Sequence, residues 1–305
     1  MLGIVTGTPR SSTIGIADTR PIAGGGTAGI MQTVSVVLAL LASITWGAAD
    51  FLGGMMGRRI PTTLVVLWSQ AVGMLLGVVA ALVFPADQVH LSDLLWGAVA
   101  GAAGTAGLYF LYEALARGRM AVASPAAALV GAVLPMGIGF ALGERPLPVQ
   151  WIGILLALPA IWLVAQVGEI AGFNGLLYGF IAGAGFGSFF AAIAQTGEGS
   201  GFWPLVAARI VQVTMMMVIV RRQKLGLPPP DTRLPIAALG AGDMLANVFV
   251  LLAARSGLLT LVAVLTSLYP AVTVLLAVWI LSEPIGRRQK VGLLLALVAV
   301  ALIAV

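Results

Sequence analysis

The chain has 305 residues, 60% of them hydrophobic and 9% charged, with a net charge of +5. Soluble globules carry about a quarter of their residues as charges, so too little charge is present here to coat a particle of this size. The apolar residues fall in blocks near the roughly 20 residues that a helix needs to cross a bilayer. The short alternating segments of an outer-membrane barrel are missing, which leaves an all-α, polytopic membrane protein in a cell (plasma or inner) membrane.

In chain order, residues 1–33 come first, rich in Gly, Ser and Thr, with Arg10, Asp18 and Arg20 and no continuous apolar run. A signal peptide needs such a run, so this stretch reads as a disordered extension, and Met31 offers a second start site. Ten apolar blocks follow, at 34–56, 62–84, 94–116, 120–142, 149–167, 176–195, 202–220, 234–254, 259–281 and 286–305. Each is expected to be one transmembrane helix. Glycines four apart, at Gly53/Gly57, Gly73/Gly77, Gly97/Gly101 and Gly183/Gly187, let helix backbones approach closely in lipid. A phosphate-binding loop would need a strand before the glycines and a lysine after them.

Most of the 16 Lys and Arg are scattered through or beside short interhelical segments. That pattern belongs to membrane topology rather than to nucleic acid. There is no Cys, and the one histidine, His90, lies in a polar loop beside Asp87 and Asp93. Without a second His or Cys no metal site is complete, and neither metal nor cofactor is expected.

The second half repeats the first at an offset near 139. Glu144 falls on Glu283, Gln150 on Gln289, Gly153 on Gly292, Ala114 on Ala253, Gly118 on Gly257 and Gly101 on Gly240, and Trp46-Gly47 meets Phe186-Gly187. The expected units are residues 34–168 and 172–305. Five crossings per unit thread the second copy from the opposite side, which gives an inverted repeat about an axis in the membrane plane. Eleven Lys and Arg fall in the loops after the first, third and seventh blocks and at the start of the tenth, against Arg145 and Arg255 plus Arg10 and Arg20 on the other side. Loop charge therefore places the first set in the cytoplasm and both termini outside.

An ionisable group inside a bilayer is a functional hypothesis by default, and four lie well inside the blocks: Asp50, Glu113, Arg209 and Asp243. Residues three or four apart share a helix face. Polar stripes follow at Ser43, Trp46 and Asp50; at Thr105, Tyr109 and Glu113; at Arg209 and Gln212; and at Asp243 and Asn247. Asp243 with Arg209 is the leading pair. It is either a site for a proton, a cationic group or a substrate carboxylate, or a permanent ion pair between the seventh and eighth helices. Asp50 is the second acid; the plainer reading has it hydrogen-bonded to a neighbouring helix or to the loop with Arg58 and Arg59. Glu113 is expected to pair with Arg117. Glu144 and Glu283 precede Pro146 and Pro284 and are expected to cap the helices that start there, where acids suit the dipole and proline the first turn. Trp46, Tyr109, Phe186 and Tyr269 are placed to line a cavity, although aromatics in a bundle are more often packing.

Taken together, Trp46-Gly47, Tyr112-x-Ala-Leu-Ala, Leu134-Pro135, Gly143-Glu144-Arg145 and Gly153, echoed by Ala253-Ala254-Arg255, Leu268-Tyr269-Pro270, Ser282-Glu283-Pro284 and Gly292, resemble the drug/metabolite transporter superfamily. Specifically, they resemble the EamA-like ten-helix permeases with two EamA repeats. The resemblance implies a secondary transporter, typically an efflux permease for a small metabolite or drug, with protons or another ion as coupling partner. It also implies cytoplasmic termini, opposite to the loop count. An arginine that such proteins carry in the second helix of each repeat is present as Arg209, and Gln70 stands at the other position, so Gln70 joins the expected site. Small four-helix relatives use a helix 1 carboxylate for proton-coupled drug exchange, which Asp50 resembles in placement alone. A non-transporting scaffold or receptor-like subunit is the alternative. An intramembrane enzyme is disfavoured, because metalloproteases of that kind need two histidines and the serine type needs one within the membrane.

Overall fold

The computed structural model describes residues 25–116, 120–164, 173–282 and 286–303. The described elements are all helical: α1 (Gly25–Gly57), α2 (Thr62–Val83), α3 (Leu91–Ala116), α4 (Met120–Ala141), α5 (Pro148–Val164), α6 (Phe173–Ile193), α7 (Trp203–Arg222), α8 (Pro230–Ser256), α9 (Leu259–Thr266), α10 (Tyr269–Leu281) and α11 (Arg287–Ile303). A short 3-10 turn, Glu198–Ser200, lies between α6 and α7. Prolines open several of them, with Pro148 starting α5, Pro204 in the first turn of α7 and Pro230 starting α8. A first-turn N–H has no partner within the helix, so its loss there is harmless.

Six helical spans are long and apolar enough to cross a membrane. Large apolar side chains such as Leu75, Leu82, Leu155, Leu294, Leu297 and Trp279 point outward, as a lipid-facing surface requires. The chain is an integral membrane protein.

Two sequence expectations change here. The first helix starts at Gly25, inside the stretch 1–33 read as disordered; residues 1–24 lie outside the described residues. The ninth block is not one helix but two, interrupted at Ser267-Leu268. Pro270 cannot donate to the Thr266 carbonyl and its ring collides with it. The backbone instead tightens, with Ser267 N–H on the Ala263 carbonyl at 3.0 Å and Leu268 N–H on that of Leu265 at 3.2 Å.

Contacts between the two halves come in matching sets. Helix α1 packs on α8 as α3 packs on α6; α1 packs on α9 and α10 as α6 packs on α4; α2 packs on α8 as α3 packs on α7. Three pairs, α2 with α7, α4 with α9 and α5 with α11, join equivalent helices of the two halves. Glycines fix the closest crossings. A methyl added at Gly101 would run into the Ala208 carbonyl, and one added at Gly240 would run into the Ser69 carbonyl. Each partner stands 139 residues from its counterpart, so the two crossings are built from equivalent positions.

Candidate functional site

A cavity of about 740 Å³, open mouth included, lies within the bundle. Its wall takes Trp46 and Asp50 from α1, Gln70 from α2, Arg209 and Gln212 from α7, and Asp243 and Asn247 from α8. Phe186, Phe189 and Phe190 of α6 and Ser267 and Tyr269 at the α9–α10 break complete the polar and aromatic part.

Asp243 is the hub. Its Oδ2 meets Arg209 Nη2 at 2.7 Å and accepts from Gln70 Nε2 at 3.3 Å. Its Oδ1 accepts from the Trp46 indole N–H at 2.9 Å, and Asn247 Nδ2 donates to its backbone carbonyl at 2.6 Å. Arg209 also donates through Nη1 to Gln212 Oε1 at 3.0 Å, within helix α7. A buried charge is tolerated when paired and hydrogen-bonded, and Arg209, 3% exposed, meets both conditions.

Small residues make the room. A methyl at Gly73 would lie 3.4 Å from Arg209 Nε, and one at Gly104 would lie 3.1 Å from Gln212 Nε2 and 3.3 Å from the Phe189 ring. Gly104 is the position 139 residues before Asp243. Where the second half places a carboxylate, the first leaves space.

With this geometry described, comparison with known proteins places the chain. The model of the EamA-like transporter family matches twice, over residues 33–166 and 173–305. The chain belongs to the EamA-like transporter family. No curated protein matches it in sequence. A solved crystal structure, 18% identical, superposes with a TM-score of 0.71 over 88% of this chain and 95% of its own, a likeness of fold alone.

Of the residues expected in the site of this EamA-like protein, the structure brings Trp46, Asp50, Gln70, Arg209, Asp243 and Asn247 to one cavity. Tyr109 is not there. It lies 36% exposed, ring edge-to-face with Phe110 at 5.5 Å, and its stripe partner Thr105 is buried with its hydroxyl on the Gly101 carbonyl at 2.8 Å. The stretch of α3 that faces the cavity is Gly104, Leu108 and Leu111. Asp50 bonds neither a neighbouring helix nor the Arg58–Arg59 loop; among the described residues it has no hydrogen-bond or ion-pair partner and is exposed to the cavity. Ser267, Phe189 and Phe190 were not expected. The proline two residues after Leu268 is the one sequence signal that would have marked the break carrying Ser267. The Glu113 and Arg117 side chains and Glu283 lie outside the described residues.

The end of the bundle where α3, α5, α7 and α9 start is closed by polar ties. Glu144 does not cap α5 as expected. Its Oε1 accepts from Leu259 N–H at 2.7 Å, and its Oε2 accepts from Thr260 N–H at 2.9 Å and the Thr260 hydroxyl at 2.6 Å, so it caps α9 in the other half. The first N–H groups of a helix need acceptors from outside it, and Glu144 reaches α9 because α4 packs on it. Arg255 donates to the Gly197 carbonyl at 2.8 Å and Ser200 Oγ at 3.0 Å, and Asp93 accepts from Gly197 N–H at 2.8 Å. Glu144→Ala is expected to destabilise the protein by about 1–2 kcal/mol, as loss of a good cap does, read as a lower melting temperature in detergent. An unchanged melting temperature would show that water replaces the carboxylate without loss.

Proposed function

We propose that the protein is a secondary transporter that exports a small metabolite or drug by alternating access, with the cavity around Asp243 as its binding site. The observation that carries the reading is that cavity: a polar cluster enclosed in an otherwise apolar bundle, with walls from both halves. A scaffold gains nothing from a chamber whose polar side chains are costly to hold in lipid.

The matching contacts between halves support ten crossings arranged as an inverted repeat. Five crossings per half require the axis that relates them to lie in the membrane plane. Exchange of the two halves' conformations then closes one mouth and opens the other. The lining residues run from mid-bundle toward the end bearing Arg58, Arg59, Arg221 and Arg222, away from the ties of Glu144 and Arg255. The positive-inside rule assigns that end to the cytoplasm, so this conformation loads from inside. No phosphate-binding loop for ATP is present in the sequence, and the drive in this reading is an ion gradient, as the family resemblance implies. Asp50 and Asp243 are the carboxylates that line the cavity.

The test is release from liposomes. Purified protein is reconstituted into vesicles loaded with a labelled small-metabolite extract, and the effluent is read by mass spectrometry. A restricted set of solutes should leave faster than from protein-free vesicles, and Trp46→Ala should slow that set selectively. No release above the protein-free control would contradict the proposal, because a scaffold moves nothing.

A further inference from the structure

The cavity has two carboxylates, Asp50 and Asp243, and one guanidinium, Arg209. The guanidinium is occupied by the protein itself, with Nη2 on Asp243 at 2.7 Å and Nη1 on Gln212 at 3.0 Å. At 3% exposure, and with its charge paired to Asp243, it could take a substrate carboxylate or phosphate only by giving up that pair. Asp243 is likewise committed, since its two oxygens take Trp46, Gln70 and Arg209.

What remains open to a ligand is of one chemical kind. Asp50 is a carboxylate facing the cavity and, among the described residues, without a partner. Gln70 is 4% exposed and its Nε2 is on Asp243, while its Oε1, at the same cavity wall, has no donor. The rest is aromatic. Trp46 stands one turn before Asp50 on α1, its ring edge-to-face with Phe190 at 5.6 Å. Gly47 brings the helix break alongside, since a methyl there would sit 2.6 Å from the Tyr269 carbonyl, and Thr273 Oγ1 donates to the Gly47 carbonyl at 3.0 Å. A carboxylate, an amide oxygen and π faces all attract positive charge, and π faces do so most strongly where water is excluded.

We infer that the substrate is a monovalent organic cation with an apolar or aromatic body, its charge beside Asp50 and its body against Trp46, Tyr269 and Phe186. The inference rests on the reading of this cavity as a transport site. An anion would face an unpaired carboxylate. A zwitterionic amino acid would need a free cationic clamp, and Arg209 is not one.

Binding to the full chain in detergent tests this without any flux. The probes are benzyltrimethylammonium, 3-phenylpropionate and phenylalanine, which share an aromatic body and differ in charge. Benzyltrimethylammonium should bind saturably and raise the melting temperature, and the other two should neither bind nor compete. Asp50→Asn, which keeps the side-chain shape, should weaken the cation by about thirtyfold or more, the loss when one partner of a close charge pair is neutralised. Asp50→Glu should restore part of it. Equal binding of the three probes, absence of cation binding, or a cation affinity unmoved by Asp50→Asn would overturn the inference. Because vesicles play no part, a null flux result would strike the transport reading and leave this one to its own measurement.

Discussion

Arg209→Ala is expected to abolish transport and to lower stability by about 3–5 kcal/mol, the loss seen when one partner of a buried ion pair is removed. The substitution deletes the group 2.7 Å from Asp243 Oδ2 and leaves that carboxylate with the neutral donors of Trp46, Gln70 and Asn247. The Asp243 side chain is 22% exposed, so hydration from the cavity places the loss toward the lower end of that range. Asp243→Asn should cost stability in the same range, because it strands the Arg209 guanidinium, 3% exposed, without its counter-charge, and it should also stop ion-driven accumulation. The double variant Arg209→Met with Asp243→Asn separates the two roles. Replacing both members of a buried pair is often close to neutral for stability, so its melting temperature should recover well above that of Arg209→Ala while transport stays absent. Transport at the normal rate in the double variant would show the pair to be a structural tie between α7 and α8.

Gly101→Val and Gly240→Val should each prevent close packing between the halves. In each case the first new carbon collides with a backbone carbonyl, of Ala208 or of Ser69, and backbone cannot rotate away as a side chain can. Overpacking of this kind costs about 1–3 kcal/mol, sometimes more. The two variants should lose similar amounts, because their crossings occupy equivalent positions 139 residues apart. Gly137→Ala is the control: nothing lies within 4 Å of the added carbon, and alanine is the better helix former by about 1 kcal/mol, so its melting temperature should hold or rise. Thermal unfolding of the three variants in one detergent checks the set.

The helices could be read from the sequence because lipid leaves no choice. Every backbone polar group in the hydrocarbon must be satisfied within its own segment, and the apolar blocks are therefore helices with visible ends. The stripe rule also placed Trp46 with Asp50, and Asp243 with Asn247, on faces that reach one cavity. The same rule misplaced Tyr109, since spacing says which residues share a face of α3 and not which neighbour that face meets. Gly104 escaped notice for a related reason: a wall made of a missing side chain carries no chemical signal, and only the packing of α3 against α6 and α7 shows the space. Glu144 was legible as a cap but not as to what it caps. A local rule assigned it to the next helix in sequence, whereas packing of α4 on α9 brings it to Leu259 and Thr260. The break before Tyr269 was available in Pro270, although a proline alone does not decide it, since α5 runs unbroken through Pro159.

The chain contains no cysteine, so a single thiol placed in the cavity reports its access without background. Ser267→Cys sits at the α9–α10 break on the cavity wall. Membrane-impermeant maleimide is applied in turn to each face of oriented vesicles, with the Glu144→Ala change absent or present. Labelling is expected from the arginine-rich side in the parent and from both sides once the α9 cap is gone. Labelling from one side only in both proteins, or from neither, would contradict a chamber that opens to the two faces in turn.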